Sequence, residues 1–146
     1  MFELFLGHLV GDYLFQTDYM AHNKTKNSLE GYIACIIHCM LYTFAVCLFM
    51  GNFDFIWIIV VFLSHFFIDK YSLGETYMHH IKGSGLKDFL TKNDWYKNNK
   101  LNFMPDDKPE INLNDALEGG FKAYTYALTD NTLHLVLMYI AYKLIY

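Results

Sequence analysis

Arginine is absent from this sequence, and all 11 basic residues are lysine. Charge of either sign is scarce, at 18% of residues, against about 25% in an ordinary soluble domain. With no guanidinium forks and a net charge of -4, the chain lacks the basic surface on which nucleic-acid recognition depends. Nucleic acid is therefore excluded as a partner. Cysteine is confined to Cys35, Cys39 and Cys47, all in one apolar stretch, which is not the pattern of a secreted disulfide framework. Cys35 and His38 could ligate zinc together, but small side chains filling a core are the expectation for these thiols. The first residues have neither a basic segment nor a cleavage site, so no removable signal peptide is expected.

What is abundant is apolar. Hydrophobic residues make up 54% of the chain and aromatics 18%, and 146 residues suit a single domain. Four apolar stretches stand out: 2–20, 29–50, 53–71 and 115–146. Each approaches the ~20 residues that cross a bilayer. The expected fold class is all-α, an integral membrane bundle of four transmembrane helices in one domain. The polar connection 72–118 separates the third stretch from the fourth and contains Gly83-Ser84-Gly85, Asp94-Trp95-Tyr96 and the segment from Pro105 to Pro109, which are turn and loop signals. Leu86, Phe89 and Leu90 share one helical face there and suggest a short interfacial helix, with Trp95 and Tyr96 at headgroup level. Asn114 is the expected N-cap of the last helix, with Asp115 and Glu118 in its first turn.

Lysine placement predicts the orientation. Lys24 and Lys26 lie in the first connection, Lys70 and Lys122 at the two ends of the third, and none lies in the second. The positive-inside rule then puts the first and third connections in the cytoplasm and both termini outside, in a cytoplasmic (inner) membrane. Lys143 is the one dissenting charge and can snorkel.

Ionisable groups inside such stretches are costly unless paired or facing a polar cavity. Here their spacing is informative. His8 and Asp12, His65 and Asp69, and Asp130 and His134 are each four residues apart, which stacks imidazole and carboxylate on one helical face. The second stretch adds His38. Gln16 extends the first stripe and Tyr126 the last, while Asp18 lies off the His8–Asp12 face and could cap the helix end near Lys24. One such pair is satisfied by its own intrahelical contact. Three on separate stretches point to a shared site in the cytoplasmic half of the bundle. At ~1.5 Å rise per residue, Asp12, His38 and Asp130 lie ~12–14 Å deep, His8 and His134 ~18–20 Å, His65 ~9 Å, and Asp69 only ~3 Å, at the mouth.

Imidazole nitrogen with carboxylate oxygen suits zinc, manganese or iron. The expected ligands are His8, Asp12, His38, His65, Asp69, Asp130 and His134. Asp12, Asp69 and Asp130 are the candidate catalytic carboxylates, and Gln16, Asp18 and Tyr126 are the supporting groups. Two divalent cations would nearly neutralise the three aspartates and could clamp a phosphate. His22, His79 and His80 fall in connections and are expected to be solvated.

The segments GHLVGDYLFQTDYMAHNK, SHFFIDKYSL and LTDNTLHLVLMYIAY, with His38 between the first two, resemble a family of uncharacterised small membrane proteins of bacteria and their phages, a domain of unknown function. The resemblance covers essentially the whole chain. It implies recurring positions at His8, Asp12, Gln16, Asp18, His38, His65, Asp69, Asp130 and His134. The histidine–aspartate pairs are also distantly similar to those of membrane-bound metal-dependent hydrolases. The leading expectation is thus a membrane-embedded metal-dependent hydrolase acting on a phosphorylated or lipid-linked substrate. A second reading is an ion or proton relay or small transport protein, which with four helices would need a homo-oligomer to enclose a pathway. A third is a phage-type effector that binds a host membrane protein.

Overall fold

The computed structural model describes residues 1–81 and 113–146, with side chains of the last helix from Leu117 onward. The expected interfacial helix, the Gly83–Gly85 turn, the Trp95–Tyr96 pair and the Pro105–Pro109 segment lie outside the described residues, as do the side chains of Asn114 and Asp115. Every described element is helical: α1 (Phe2–Leu9), a π-helical turn (Val10–Leu14), α2 (Asp18–Asn23), α3 (Leu29–Met50), α4 (Phe55–Lys70), α5 (Leu73–His80) and α6 (Leu113–Ile145). The chain divides into two compact units. One comprises Met1–Leu73 with Asn131–Tyr146, and the other Gly74–Asp130.

The first unit is built around α3. Ser28 caps its N-terminus by accepting the Gly31 amide at 3.1 Å. Gly51 ends it in the left-handed conformation at φ 61°, which glycine adopts without a Cβ penalty. Asp54 caps α4 by accepting the amides of Ile56 and Trp57. The expected limits of α3 are those observed. The first apolar stretch, expected as one helix over 2–20, is instead broken. After α1 the chain takes one π-helical turn, leaves helical geometry at Phe15–Thr17, and restarts at α2 with Thr17 as N-cap. Here the i→i+5 bond Phe15 N to Val10 O closes at 3.1 Å.

Two glycines press this broken stretch onto α3. A Cβ on Gly7 would stand 2.8 Å from Val46 Cα, and one on Gly11 would stand 2.6 Å from Tyr42 Cδ2. Gly7 and Gly11 form a G-x-x-x-G step, the spacing that lets two helix backbones approach closely. Their contact lays His8 and Asp12 against the face of α3 that carries His38 and Tyr42. Leu4, Tyr42, Val46, Cys47, Trp57, Val61 and Met138 form the apolar core at this level.

The distribution of residues across α3 runs opposite to that of a soluble core helix. Its buried face holds Gly31, Ala34, Cys35, His38, Cys39, Tyr42 and Ala45. Its exposed face holds Ile33, Ile36, Ile37, Met40, Phe44 and Leu48. On α4, His65 and Asp69 are buried beside Trp57, Val61 and Ile68, while Phe55, Ile56, Ile59, Leu63 and Phe67 are exposed. Among the described residues α3 is the one helix long and apolar enough to cross a membrane by itself, and α4 with α5, bent by 52°, has the length and composition of a broken span or a re-entrant loop.

Candidate metal centre

Four elements of the first unit deliver the polar cluster: α1 and its π-helical turn bring His8 and Asp12, α3 brings His38, α4 brings His65 and Asp69, and the C-terminal part of α6 brings His134. His8, His38, His65, Asp69 and His134 are all buried, and Asp12 is nearly so. The i,i+4 spacing places His65 and Asp69 on the inward face of α4. The π-helical turn carries Asp12, a setting in which such turns often serve function.

The atoms converge closely. Asp12 Oδ1 lies 3.3 Å from His38 Nε2 and 3.3 Å from His65 Nε2. The two Nε2 atoms are 3.0 Å apart. Asp69 Oδ2 lies 3.0 Å from His38 Nε2 and 3.3 Å from His65 Nε2. The two nitrogens thus lie 3.0–3.3 Å from each other and from each of the two carboxylate oxygens, while Asp12 and Asp69 fall in separate metal-capable groups. Ligand atoms held at about 2.0–2.1 Å around a tetrahedral zinc stand about 3.3 Å apart. Adjacent ligands of an octahedral cation at about 2.1 Å stand about 3.0 Å apart. Each triangle of the two nitrogens with one carboxylate oxygen therefore fits a small divalent cation, and does not choose between zinc, manganese and iron. Asp12 Oδ1 is buried and makes no hydrogen bond among the described residues, although two imidazole nitrogens face it. Such an orphaned carboxylate oxygen is costly unless something else meets it. The donor set and the orphaned atom both fit a metal ion.

Around this core the remaining groups are held in turn. His65 Nδ1 meets His134 Nδ1 at 3.0 Å, and His134 Nε2 stands 3.4 Å from Asp69 Oδ1. Tyr42 stacks on the His65 ring with centroids 3.5 Å apart and planes 14° from parallel. The Tyr42 hydroxyl lies 2.8 Å from His8 Nδ1 and 3.2 Å from Met138 Sδ. His8 Nε2 lies 2.7 Å from Asn131 Oδ1, an acceptor, so Nε2 carries the proton and Nδ1 receives the tyrosine hydroxyl in the neutral ring. That leaves His8 at the edge of the cluster, 3.5 Å from Asp12 Oδ2. His38 Nδ1 has no partner among the described residues.

Lys24, from the segment between α2 and α3, reaches into the same cluster. Its ammonium donates to Asp69 Oδ2 at 2.7 Å and to Gln16 Oε1 at 2.8 Å. The segment is itself anchored by the buried Lys70, whose Nζ donates to the Lys26 carbonyl at 2.7 Å and to the Lys24 carbonyl at 3.2 Å. The same ammonium sits 3.7 Å over the Tyr32 ring, a favourable cation–π geometry.

Of the residues singled out in the sequence, the structure gathers His8, Asp12, His38, His65, Asp69 and His134. Gln16 touches the cluster only through Lys24. Asp18 is the first residue of α2, and its carbonyl accepts from His22 Nδ1 at 2.7 Å. Asp130 and Tyr126 belong to the second unit. There Asp130 lies so close to Gly74 that a Cβ on that glycine would stand 2.6 Å from its Oδ1. Among the described residues, the two groups able to hold a metal are Asp12, His38 and His65, and His65, Asp69 and His134. Cys35 is in neither; its Sγ lies 4.0 Å from that of Cys39.

Asp69, placed at the mouth by counting residues, sits inside the cluster. The count took residue 71 as the end of the span, whereas α4 is followed within three residues by α5 and the two together have the length and composition of a broken span or a re-entrant loop. Tyr42, Lys24 and Asn131 escaped the sequence reading. Tyr42 carried a signal, being four residues after His38 and on the same helical face. Lys24 carried none, since its reach depends on how the segment before α3 folds back.

A separate apolar groove of about 390 Å³, lined by Met40, Phe44, Phe53, Ile59, Phe62 and Leu63 among others, contains none of these groups. No curated protein and no solved structure matches the chain. A family model described as Protein of unknown function (DUF3307) matches residues 1–146, and the chain belongs to that family.

Proposed function

We propose that the protein is a membrane-embedded, metal-dependent hydrolase whose cation is held by Asp12 Oδ1, His38 Nε2, His65 Nε2 and Asp69 Oδ2. The observation that carries this reading is the 3.0–3.3 Å spacing of the two imidazole nitrogens from each other and from each carboxylate oxygen, with the Asp12 oxygen otherwise unsatisfied. A bound divalent cation would polarise a phosphoryl or carbonyl oxygen and make water a better nucleophile near neutral pH. The substrate class proposed is a phosphorylated or lipid-linked molecule. The Lys24 ammonium, the one cation bonded within the cluster among the described residues, suits an anionic group. Membrane embedding is supported by the outward apolar faces of α3 and α4 and by the length of α3. A 22-residue helix is about 33 Å long, enough for a hydrocarbon core of about 30 Å. The orientation proposed from the lysines, with both termini outside an inner membrane, belongs to the same reading.

The test is metal content of the detergent-purified full chain, prepared without chelator, beside that of Asp12→Asn. Wild type should hold roughly one equivalent, and the variant, lacking the charge that offsets the cation, should hold close to none. Wild type should hydrolyse a generic phosphoester and the variant should not. Well-folded wild type with no metal would refute the hydrolase.

One observation favours a second reading. His38, His65 and His134 form a continuous imidazole chain with two 3.0 Å contacts, the kind of path along which protons move in membrane proteins. A relay would show pH-dependent flux in vesicles with no bound metal.

A further inference from the structure

Resting on the metal reading above, we propose that His134 is a positioning residue and not a ligand: it bridges His65 to Asp69 and thereby aims both at a single cation. The protons allow one consistent arrangement. If His65 binds through Nε2, its proton lies on Nδ1, and the group facing Nδ1 is His134 Nδ1 at 3.0 Å. That nitrogen must then accept, which puts the proton of neutral His134 on Nε2. His134 Nε2 faces Asp69 Oδ1 at 3.4 Å, an ion-pair contact that lacks hydrogen-bond geometry in this structure. The other Asp69 oxygen, Oδ2, is the one that faces His38 and His65 Nε2. One neutral imidazole thus sets the tautomer of one ligand and turns its other nitrogen towards the carboxylate of another. An outer partner of this kind is the usual company of a ligating histidine.

The arrangement also argues against the two-metal centre expected from the sequence. A second cation placed between the two Nδ1 atoms would require His65 to ligate through both ring nitrogens, as an imidazolate.

The experiment uses the full chain in detergent, loaded with cobalt(II) or zinc, as wild type, His134→Ala, His134→Gln and His65→Gln. Stoichiometry, affinity by chelator competition, the visible cobalt band and the apo-protein melting temperature are read for each. Wild type should bind one equivalent. His134→Ala should still bind one, with an unshifted cobalt band and an affinity about 10–100-fold weaker. His134→Gln should recover most of that loss, because its amide oxygen accepts from His65 and its amide nitrogen donates to Asp69. His65→Gln should lose the cobalt band. Two equivalents in wild type, a shifted band in His134→Ala, or affinity unchanged in both His134 variants would each overturn the positioning role while leaving the metal centre standing. So would a His134→Gln protein no better than His134→Ala. Wild type that binds no metal overturns the metal centre and this role together.

Discussion

The first apolar stretch and α3 are similar in length and lie against each other, yet one is broken and the other is a single regular helix. α3 carries one strongly polar side chain on its buried face, His38, with small residues on either side, and turns large apolar residues outward. The first stretch carries His8, Asp12, Gln16 and Asp18. It answers with a π-helical turn at Asp12, an extended break before Asp18, and two glycines pressed on α3. A regular helix places groups at fixed 100° steps. The irregular stretch is freed from that rule, and this lets Asp12 reach His38 and His65 while the chain turns back to bring in Lys24. Regularity here supports the outer face, and irregularity supports the polar centre.

The most direct way to break the comparison is on the outward face of α3. Met40 is 60% exposed near the middle of that helix. If the face meets lipid, Met40→Asp should disfavour insertion by about 2.5–3.5 kcal/mol, read as the inserted fraction in a translocation assay, while Met40→Leu should be silent. Equal insertion of both variants would contradict the lipid-facing assignment. A smaller effect should come from the contact between the two stretches. Gly11→Leu must push aside Tyr42, and should cost about 1–3 kcal/mol through overpacking, seen as a lower melting temperature in detergent with a weakened contact to α3. Unchanged melting would mean that the close approach contributes nothing. The smallest is Lys70→Met, which leaves the carbonyls of Lys24 and Lys26 without their ammonium donor. It should cost about 1–2 kcal/mol, and faster hydrogen exchange confined to residues 24–28 would be its signature. Exchange spread evenly over the chain would argue against a local anchor.

Parts of this were legible before any coordinates. The limits of α3 follow from a stretch, 29–50, that carries no charge after Glu30, whereas its caps, Ser28 and Gly51, were seen only in the structure. The pairs His8–Asp12 and His65–Asp69 follow from four-residue spacing, because one helical turn is a local property. The break at Phe15–Thr17 did not follow, since hydropathy averages over the residues that interrupt it.

What the sequence determined by itself was an all-helical chain of the family that matches its full length, with imidazoles and carboxylates stacked along several apolar segments. Tertiary structure decided which atoms meet. It placed Asp69 inside the cluster, moved His8 to its edge against Tyr42 and Asn131, brought Lys24 onto Asp69, and assigned Asp130 to the second unit beside Gly74. The physical reason is range. Side-chain order along a helix is set within a turn or two by backbone hydrogen bonds. The meeting of Asp12, His38, His65 and Asp69 instead depends on how closely separate helices approach, and that is governed by contacts such as Gly7 on Val46 and Gly11 on Tyr42, between residues more than thirty positions apart.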